Sequence, residues 1–117
     1  MKPQDLYLKR FNSAPRRVYK NKAVVYHLYY PELAFEAINT VQQFDSSYDI
    51  IFTISEIMPS NITNLISKST NALIFRASNT GRDIRPFFEL VKTGILNRYD
   101  IVCKLHGKKS LHRTDGD

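Results

Sequence analysis

The chain has 117 residues, of which 43% are hydrophobic and 24% are charged, and its formal net charge at pH 7 is +6. This length suits one domain with a hydrophobic core, and the composition is that of a soluble globular protein rather than a disordered chain. No apolar run reaches the ~20 residues that span a bilayer, and the amino terminus lacks the features of a signal peptide, so we expect a cytoplasmic protein.

Positive charge is concentrated at the two ends of the chain. Residues 1–22 hold seven basic side chains and one acidic side chain. Residues 23–75 hold one basic and five acidic side chains, and residues 76–117 hold nine basic and five acidic side chains. Because the first segment has two prolines and no sustained hydrophobic period, we predict an irregular basic lead-in over 1–21 and a folded domain over 22–117. Cys103 is the only cysteine, which excludes an internal disulfide, and its apolar neighbours predict a buried structural thiol.

The first predicted elements are a strand and a helix. KAVVYHLYY, residues 22–30, is rich in β-branched and aromatic residues and predicts a strand that Pro31 closes. In PELAFEAINTVQQF, residues 31–44, apolar side chains recur at spacings of three and four, which predicts an amphipathic helix. The positions on its apolar face are Ala34, Ala37, Ile38, Val41 and Phe44.

Two further strands and a short helix follow. YDIIFTIS, residues 48–55, has an almost continuous apolar centre, as expected of a strand covered on both faces. Ser60 is predicted to cap a short helix that carries Ile62, Leu65 and Ile66. NALIFRAS, residues 71–78, predicts the third strand.

The last helix and strand complete the regular part of the chain. GRDIRPFFELVKTGIL, residues 81–96, predicts a helix with Asp83 as its cap and Pro86 in its first turn. Its predicted core positions are Ile84, Phe87, Phe88, Val91 and Ile95. YDIVCKL, residues 99–105, predicts a buried fourth strand.

This alternation of strands and helices predicts the fold class. We expect an α/β protein with three α/β/α layers around a mainly parallel sheet of about four strands. Ligands of such sheets bind outside the carboxyl ends of the strands, where the strand order reverses. The loops leaving those ends are HLYYPE, TISEIMPS, ASNTGRDIRP and KLHGKKS.

The loop SNTGRDIRPF, residues 78–87, is a candidate phosphate site. Gly81 lets a ligand approach the backbone, and Arg82 and Arg85 flank the predicted helix start, where free amide groups suit an anion. The alternative is a capped turn with solvated arginines. The loop lacks the spacing of a P-loop and of the dinucleotide fingerprint.

The stretch KLHGKKSLH, residues 104–112, is a second candidate. Lys104, His106 and Lys108 alternate and share a face if the strand persists, although Gly107 is expected to end it. Such groups could neutralise a diphosphate without a metal, whereas the alternative is a solvated charged loop. We expect no metal and no other cofactor, because the two histidines lie six residues apart and no carboxylate is close before Asp115.

His27 and the neighbouring tyrosines have a structural and a functional interpretation. His27 lies in the first predicted strand, where a hydrogen-bonded core histidine is the alternative to a ligand-binding one. Tyr29 and Tyr30 either pack in the core or stack on a base or sugar ring. The basic lead-in could contact nucleic acid, but the chain contains no recognised nucleic-acid module, so we expect no nucleic-acid partner.

Several of these blocks resemble one protein family. HLYYPELAFEAI, YDIIFTIS, SNTGRDIRPFF and YDIVCKLHGKKSLHRTDGD are similar to successive blocks of the rhamnan synthesis protein F family, over roughly residues 22–117. The resemblance implies a glycosyltransferase of bacterial cell-wall or lipopolysaccharide-type polysaccharide synthesis. Its implied donor is a nucleotide sugar such as deoxythymidine diphosphate rhamnose, and its acceptor is a glycan.

The layout also resembles the nucleotide-binding half of A-type glycosyltransferases. The resemblance implies that the loops after the first three strands, which include His27 and Thr53, enclose the nucleotide. Where those transferases carry a metal-binding pair of aspartates, this chain has KLHGKKS. The implied residues for the nucleotide sugar are Asn79, Gly81, Arg82, Asp83 and Arg85, and those for the diphosphate are Lys104, His106, Lys108 and Lys109. Asp83 is the candidate catalytic base.

The last block that resembles the family extends to the end of the sequence, RTDGD. We therefore expect a fragment of a longer protein, which alone binds its donor weakly and turns nothing over. The expected partners include other polysaccharide-synthesis proteins and, by peripheral association, the inner face of the membrane. The alternative function is a non-catalytic module that binds glycan or a partner enzyme of the same pathway.

Overall fold

The computed structural model describes residues 10–11, 19–78 and 84–107. Four strands alternate with three α-helices in the predicted order. The strands are β1 (Lys22–Leu28), β2 (Tyr48–Ser55), β3 (Leu73–Ala77) and β4 (Ile101–His106). The helices are α1 (Ala34–Gln42), α2 (Ser60–Ser69) and α3 (Arg85–Lys92). Two 3-10 turns, Pro31–Leu33 and Ile95–Arg98, precede α1 and β4.

The four strands form one sheet in the order β3-β2-β1-β4, and all three pairings are parallel. The chain therefore adds β2 and β3 on one side of β1 and then crosses to add β4 on the other side. With right-handed crossovers, this order puts α1 and α2 on one face of the sheet and α3 on the opposite face. The predicted parallel α/β sheet is confirmed.

Each face of the sheet has its own hydrophobic cluster, which gives the three layers. Val24, Tyr26 and Phe52 pack with α1, which contributes Ala34, Ala37, Ile38 and Val41 as predicted, and with Ile66 of α2. Ala23, Val25, Ile51 and Phe75 pack on the other face with Leu90 of α3 and with Ile95. Because alternate side chains of a strand point to opposite faces, β1 and β2 supply both clusters.

Part of the lead-in packs on the outer edge of β3. Phe11 forms an antiparallel bridge with Phe75, and the amide of Arg76 donates to the carbonyl of Arg10 at 2.8 Å. Phe11 is only 8% exposed and its ring lies 4.9 Å from that of Phe75. A residue predicted to lie in an irregular segment therefore belongs to the second cluster.

Two predicted boundaries in the first half of the chain are wrong. β1 ends at Leu28, so Tyr29 and Tyr30 lie in the connection to α1 rather than in the strand. Ser60 is the first residue of α2, and the position before the helix is occupied by Pro59, so Ser60 does not cap it. Pro31 lies in the 3-10 turn and fits the fixed φ that such a turn requires.

Helix α3 differs from its prediction in length and in the side it buries. It ends at Lys92, because Gly94 adopts a positive φ of 81° and starts the 3-10 turn that contains Ile95. Pro86 and Leu90 are its buried residues, whereas Ile84, Phe88 and Val91 are 48%, 53% and 41% exposed. The predicted cap Asp83 lies outside the described residues.

Strand β4 is an edge strand, and the prediction that it is buried is wrong. In the described part of the chain, only β1 pairs with it. Ile101 is 53% exposed, and Cys103 is partly exposed rather than buried. Its apolar residues resemble those of β2, but β2 has a strand on each side and β4 has one.

Candidate functional site at the carboxyl edge

The order of the strands reverses between β1 and β4, and the carboxyl ends of these two strands meet there. In a parallel α/β sheet, this is the point where two loops diverge to opposite faces and leave a crevice for a ligand. Leu28 ends β1 and His106 ends β4. The candidate site is therefore built from the last residues of β1 and β4 and from their neighbours on β2.

Three of the predicted binding residues form a row across this end of the sheet. His27 of β1 pairs in register with Thr53 of β2 and with His106 of β4. Paired residues of parallel strands lie about 4.8 Å apart and point to the same face. That face is the one covered by α3, because His27 follows Ala23 and Val25 in the alternation of β1. The register thus brings together residues that are 26 and 79 positions apart in the chain.

The two inner members of the row are hydrogen-bonded to each other. Nδ1 of His27 lies 2.9 Å from Oγ1 of Thr53, and the two residues are 8% and 0% exposed. A buried histidine held by a hydroxyl is what the structural interpretation of His27 predicts. His106 is exposed. The row therefore runs from the buried side chains of Thr53 and His27 to an accessible imidazole on β4.

Lysine and arginine side chains lie beside this row. Lys104 precedes His106 by two residues and shares its face, and its ammonium group lies 5.8 Å from the ring centroid of Phe87 on α3. Arg85 is the first residue of α3 and is exposed. Since α3 follows β3, its first turn starts at the carboxyl edge of the sheet. The predicted residues Asn79, Gly81, Arg82, Asp83, Lys108 and Lys109 lie outside the described residues.

Gly107 directly follows β4 and lies close to side chains on the face of the sheet opposite to α3. A Cβ atom at this position would lie 2.9 Å from the Tyr26 hydroxyl and 3.3 Å from Cδ1 of Leu33. A side chain at this position would therefore force the Tyr26 or Leu33 side chain to shift. Burial, together with the carboxylate of Glu36, raises the pKa of Tyr26 above 10.0, so its hydroxyl stays neutral at physiological pH.

A small cavity of about 220 Å³ opens at the same edge, between the loops that leave β1 and β2. The rings of Tyr29 and Tyr30 meet edge to face at 5.0 Å, and the ring of Tyr29 lies 6.4 Å from that of His27. The lining residues are Tyr29, Tyr30, Pro31, Ser55, Ile57, Met58 and Pro59. Sequence reasoning noted the two tyrosines but not the cavity, because it depends on how close the two loops lie.

The start of the loop SNTGRDIRPF is tied to α3 by a polar network that the sequence did not predict. The amide of Ser78 donates to Glu89 at 3.0 Å, the Ser78 hydroxyl donates to the same carboxylate, and Arg10 pairs with it at 2.9 Å. Burial alone would raise the pKa of Glu89, but the hydrogen bonds from Ser78 and the charge of Arg10 outweigh it and lower that pKa. Glu89 is therefore ionised at neutral pH.

The described residues show neither a cluster of metal-ligating side chains nor a helix suited to a membrane. The residues 10–11, 19–78 and 84–107 contain no group of three or more His, Cys, Asp or Glu side chains that could hold a metal ion. Over the same residues, every helix is too short or too polar to cross a bilayer.

Comparison with known proteins identifies the family. The family model described as rhamnan synthesis protein F matches residues 4–115. Two relatives named uncharacterized protein WxcX, from two strains of Xanthomonas campestris pv. campestris, are 30% identical over 95 residues. That match covers 80% of this chain but only 14% of each relative's length. No solved structure matches the chain. The chain belongs to the rhamnan synthesis protein F family, and this membership indicates a part in the synthesis of rhamnan-type polysaccharide.

Proposed function

We propose that this chain is the nucleotide-sugar-binding domain of a glycosyltransferase that acts in bacterial cell-surface polysaccharide synthesis. The observation that carries the proposal is the row of Thr53, His27 and His106 at the reversal of strand order. Family membership supports the pathway, and the position of the row supports a ligand at this edge. Deoxythymidine diphosphate rhamnose is the proposed donor, and a growing glycan is the proposed acceptor.

The proposed roles follow from charge and burial. Lys104 and His106 are exposed on one face of β4, where the ammonium and imidazole groups can donate hydrogen bonds to the diphosphate and Lys104 can neutralise the charge that develops as it leaves the sugar. Thr53 and His27 form the floor and hold each other in one orientation. The cavity beside Tyr29 and Tyr30 offers aromatic surface to the nucleoside. In this proposal Asp83 is the base that activates the acceptor hydroxyl.

Isothermal titration calorimetry of this chain with deoxythymidine diphosphate rhamnose tests the proposal. Lys104→Ala and His106→Ala should each weaken binding by about tenfold, because each removes one charge-assisted contact to phosphate worth roughly 1.5 kcal/mol. Lys92→Ala is the matched control, since it removes the same charge from the last turn of α3, at the other end of the sheet. Its affinity for the nucleotide sugar should equal that of the unchanged chain.

The choice of titrants separates this proposal from the non-catalytic alternative. Uridine diphosphate and deoxythymidine diphosphate report on base preference, and inorganic phosphate reports on charge alone. Nucleotide-sugar recognition would be refuted if the nucleotide sugar bound no more tightly than inorganic phosphate and if Lys104→Ala and Lys92→Ala bound the nucleotide sugar with the same affinity.

A further inference from the structure

A second, larger groove lies at the amino edge of the sheet, at the opposite ends of the strands from His27 and His106. It has a volume of about 830 Å³ and lies between the start of β2, the ends of α1 and α2 and the connection from α2 to β3. Its lining residues are Lys20, Gln42, Phe44, Asp45, Ser46, Tyr48, Ile50, Ser67, Thr70, Asn71 and Ala72. Such a volume is in the range of protein ligand sites, roughly 300–1,000 Å³.

Two aromatic rings form the apolar part of the groove. Phe44 and Tyr48 meet edge to face with their centroids 5.0 Å apart, and both pack against the first hydrophobic cluster while lining the groove. The ammonium group of Lys22, which does not line the groove, lies 5.1 Å from the ring centroid of Tyr48. The ring of Tyr48 is therefore held between neighbours and offers a fixed apolar surface to a ligand.

Amide, hydroxyl and carboxylate groups surround these rings. Nε2 of Gln42 donates to the carbonyl of Ser69 at 2.9 Å, which fixes the orientation of the side-chain amide and of its acceptor oxygen. Asn71 and Ser67 are exposed at the rim. Hydrogen bonds from Ser47 lower the pKa of Asp45, so this carboxylate is an ionised acceptor. The rim therefore presents both donors and acceptors of hydrogen bonds.

The electrostatics of the groove differ from those of the carboxyl edge. Lys20 and Asp45 are the two charged residues in its lining and have opposite charges, while the ammonium group of Lys22 lies against the ring of Tyr48. The carboxyl-terminal turns of α1 and α2 also end here, and the negative ends of their helix dipoles oppose an anion. A phosphate-bearing ligand is thus disfavoured, whereas a neutral ligand with many hydroxyl groups is favoured.

We propose that the groove at the amino edge binds the glycan chain itself, as a second saccharide site that is separate from the nucleotide-sugar site. The apolar face of a pyranose ring would stack on Tyr48, and its hydroxyl groups would bond to Gln42, Asp45 and Asn71. Rhamnose fits this surface better than an ordinary hexose, because its methyl group replaces a hydroxymethyl group and enlarges the apolar face. The proposal takes its sugar from the family assignment and does not depend on donor binding at the other edge.

The test is titration of the 15N-labelled chain with a rhamnose trisaccharide, followed by two-dimensional NMR. Amide shifts should change over residues 42–48 and 67–72. Tyr48→Ala should weaken binding by about tenfold, as expected for a lost ring contact, whereas Tyr48→Phe should keep the affinity within about twofold. Asn71→Ala provides a second variant at an exposed position, where folding is not at risk, and should weaken binding by about threefold.

The control variant is Phe35→Ala, which removes a 71% exposed ring at the other end of α1 and should leave glycan binding unchanged. A trisaccharide of L-mannose with the same linkage, which differs from L-rhamnose only by the hydroxyl of its hydroxymethyl group, should bind more weakly. Amide shift changes confined to the carboxyl edge would overturn the proposal. So would equal affinities of the unchanged chain, Tyr48→Ala and Asn71→Ala for the rhamnose trisaccharide. Donor titration of Tyr48→Ala keeps the two proposals apart, because donor affinity should not change.

Discussion

At the scale of single residues, Glu89 fixes the position of Ser78, directly after the end of β3. This carboxylate lies on α3 and accepts two hydrogen bonds from Ser78, the last described residue before the loop, while Arg10 of the lead-in pairs with it. One side chain thus connects three segments that are far apart in the chain. Ser78 is the residue from which the loop with Gly81, Arg82 and Asp83 continues, and Glu89 holds that residue.

The first prediction concerns the pH dependence of this contact. The pKa of Glu89 is lowered in the folded chain, so its ionisation stabilises the fold above the ordinary glutamate pKa of about 4.3, and this stability is lost as pH falls through the lowered value. Glu89→Gln should therefore cost about 1 kcal/mol at pH 7, a low value for hydrogen bonds to a charge near the surface, and this cost should shrink as pH falls below the ordinary glutamate pKa. Urea unfolding between pH 3 and pH 7 measures this difference.

Glu36→Gln is the control for this prediction, because Glu36 is an exposed glutamate on α1. Its unfolding free energy should differ little from that of the unchanged chain across the same pH range. A cost of Glu89→Gln that stays constant from pH 7 to pH 3 would show that the loss comes from packing rather than from the charge.

At the scale of the elements, α3 shows how a helix can have more apolar surface than its sheet covers. Positions 84, 88 and 91 form one apolar row, and positions 86 and 90 form another, so the spacing alone is consistent with either face being buried. The structure buries Pro86 and Leu90 and leaves the first row exposed. The exposed row lies on the side of the helix away from the second cluster.

The second prediction compares the two rows of α3. Leu90→Ala should lower the free energy of unfolding by about 2–5 kcal/mol, because Leu90 is 0% exposed and its removal leaves a cavity against β2 and β3. Phe88→Ala should change it by less than about 1 kcal/mol, although it removes more atoms, because that ring is 53% exposed. Urea unfolding at pH 7 measures both variants, and equal losses would mean that the row 84, 88 and 91 is covered in solution.

At the scale of the whole molecule, the sheet is asymmetric. β1 and β2 each have a neighbouring strand on both sides, and the outer edge of β3 is bridged by Phe11. In the described residues, the outer edge of β4 has no such cover. The proposed donor site therefore lies where two interior strands meet an edge strand, and its buried side is formed by His27 and Thr53.

The third prediction follows from this asymmetry and is measured by amide hydrogen exchange. The amides of β1 and β2 should exchange most slowly, at rates set by global unfolding, because they are hydrogen-bonded within the buried centre of the sheet. Those amides of β4 that point away from β1 should exchange fastest among the strand residues. Protection of both edges of β4 to the level of β1 would contradict the open edge.

The sequence was sufficient for the order and type of the strands and α-helices, because the helices have apolar residues at helical spacing and the strands are short runs of β-branched, aromatic and other apolar residues. It could not identify the edge strand, since YDIIF of β2 and YDIVC of β4 are almost equally apolar. The difference between them is the number of neighbouring strands, which is a property of the whole sheet. The sequence predicted His27 in the middle of the first strand and His106 in the loop after the fourth, whereas β1 ends one residue after His27 and β4 includes His106. Their pairing in one row and the cavity beside Tyr29 required the register and the loop positions, which no local pattern specifies.

The strand order also has a consequence for how the chain folds. Among the four strands of the described residues, β1 comes first in the chain, yet it lies in the interior of the sheet, and its pairing with β4 joins Lys22 to Ile101. Contacts of such high sequence separation form slowly, because a long loop must close before they contribute any stability. During synthesis, β1 therefore has an unpaired edge until residues near 106 have left the ribosome, and this edge is open to wrong pairing in the meantime. Chaperone dependence should accordingly be greatest for nascent chains that have completed β3 but not β4.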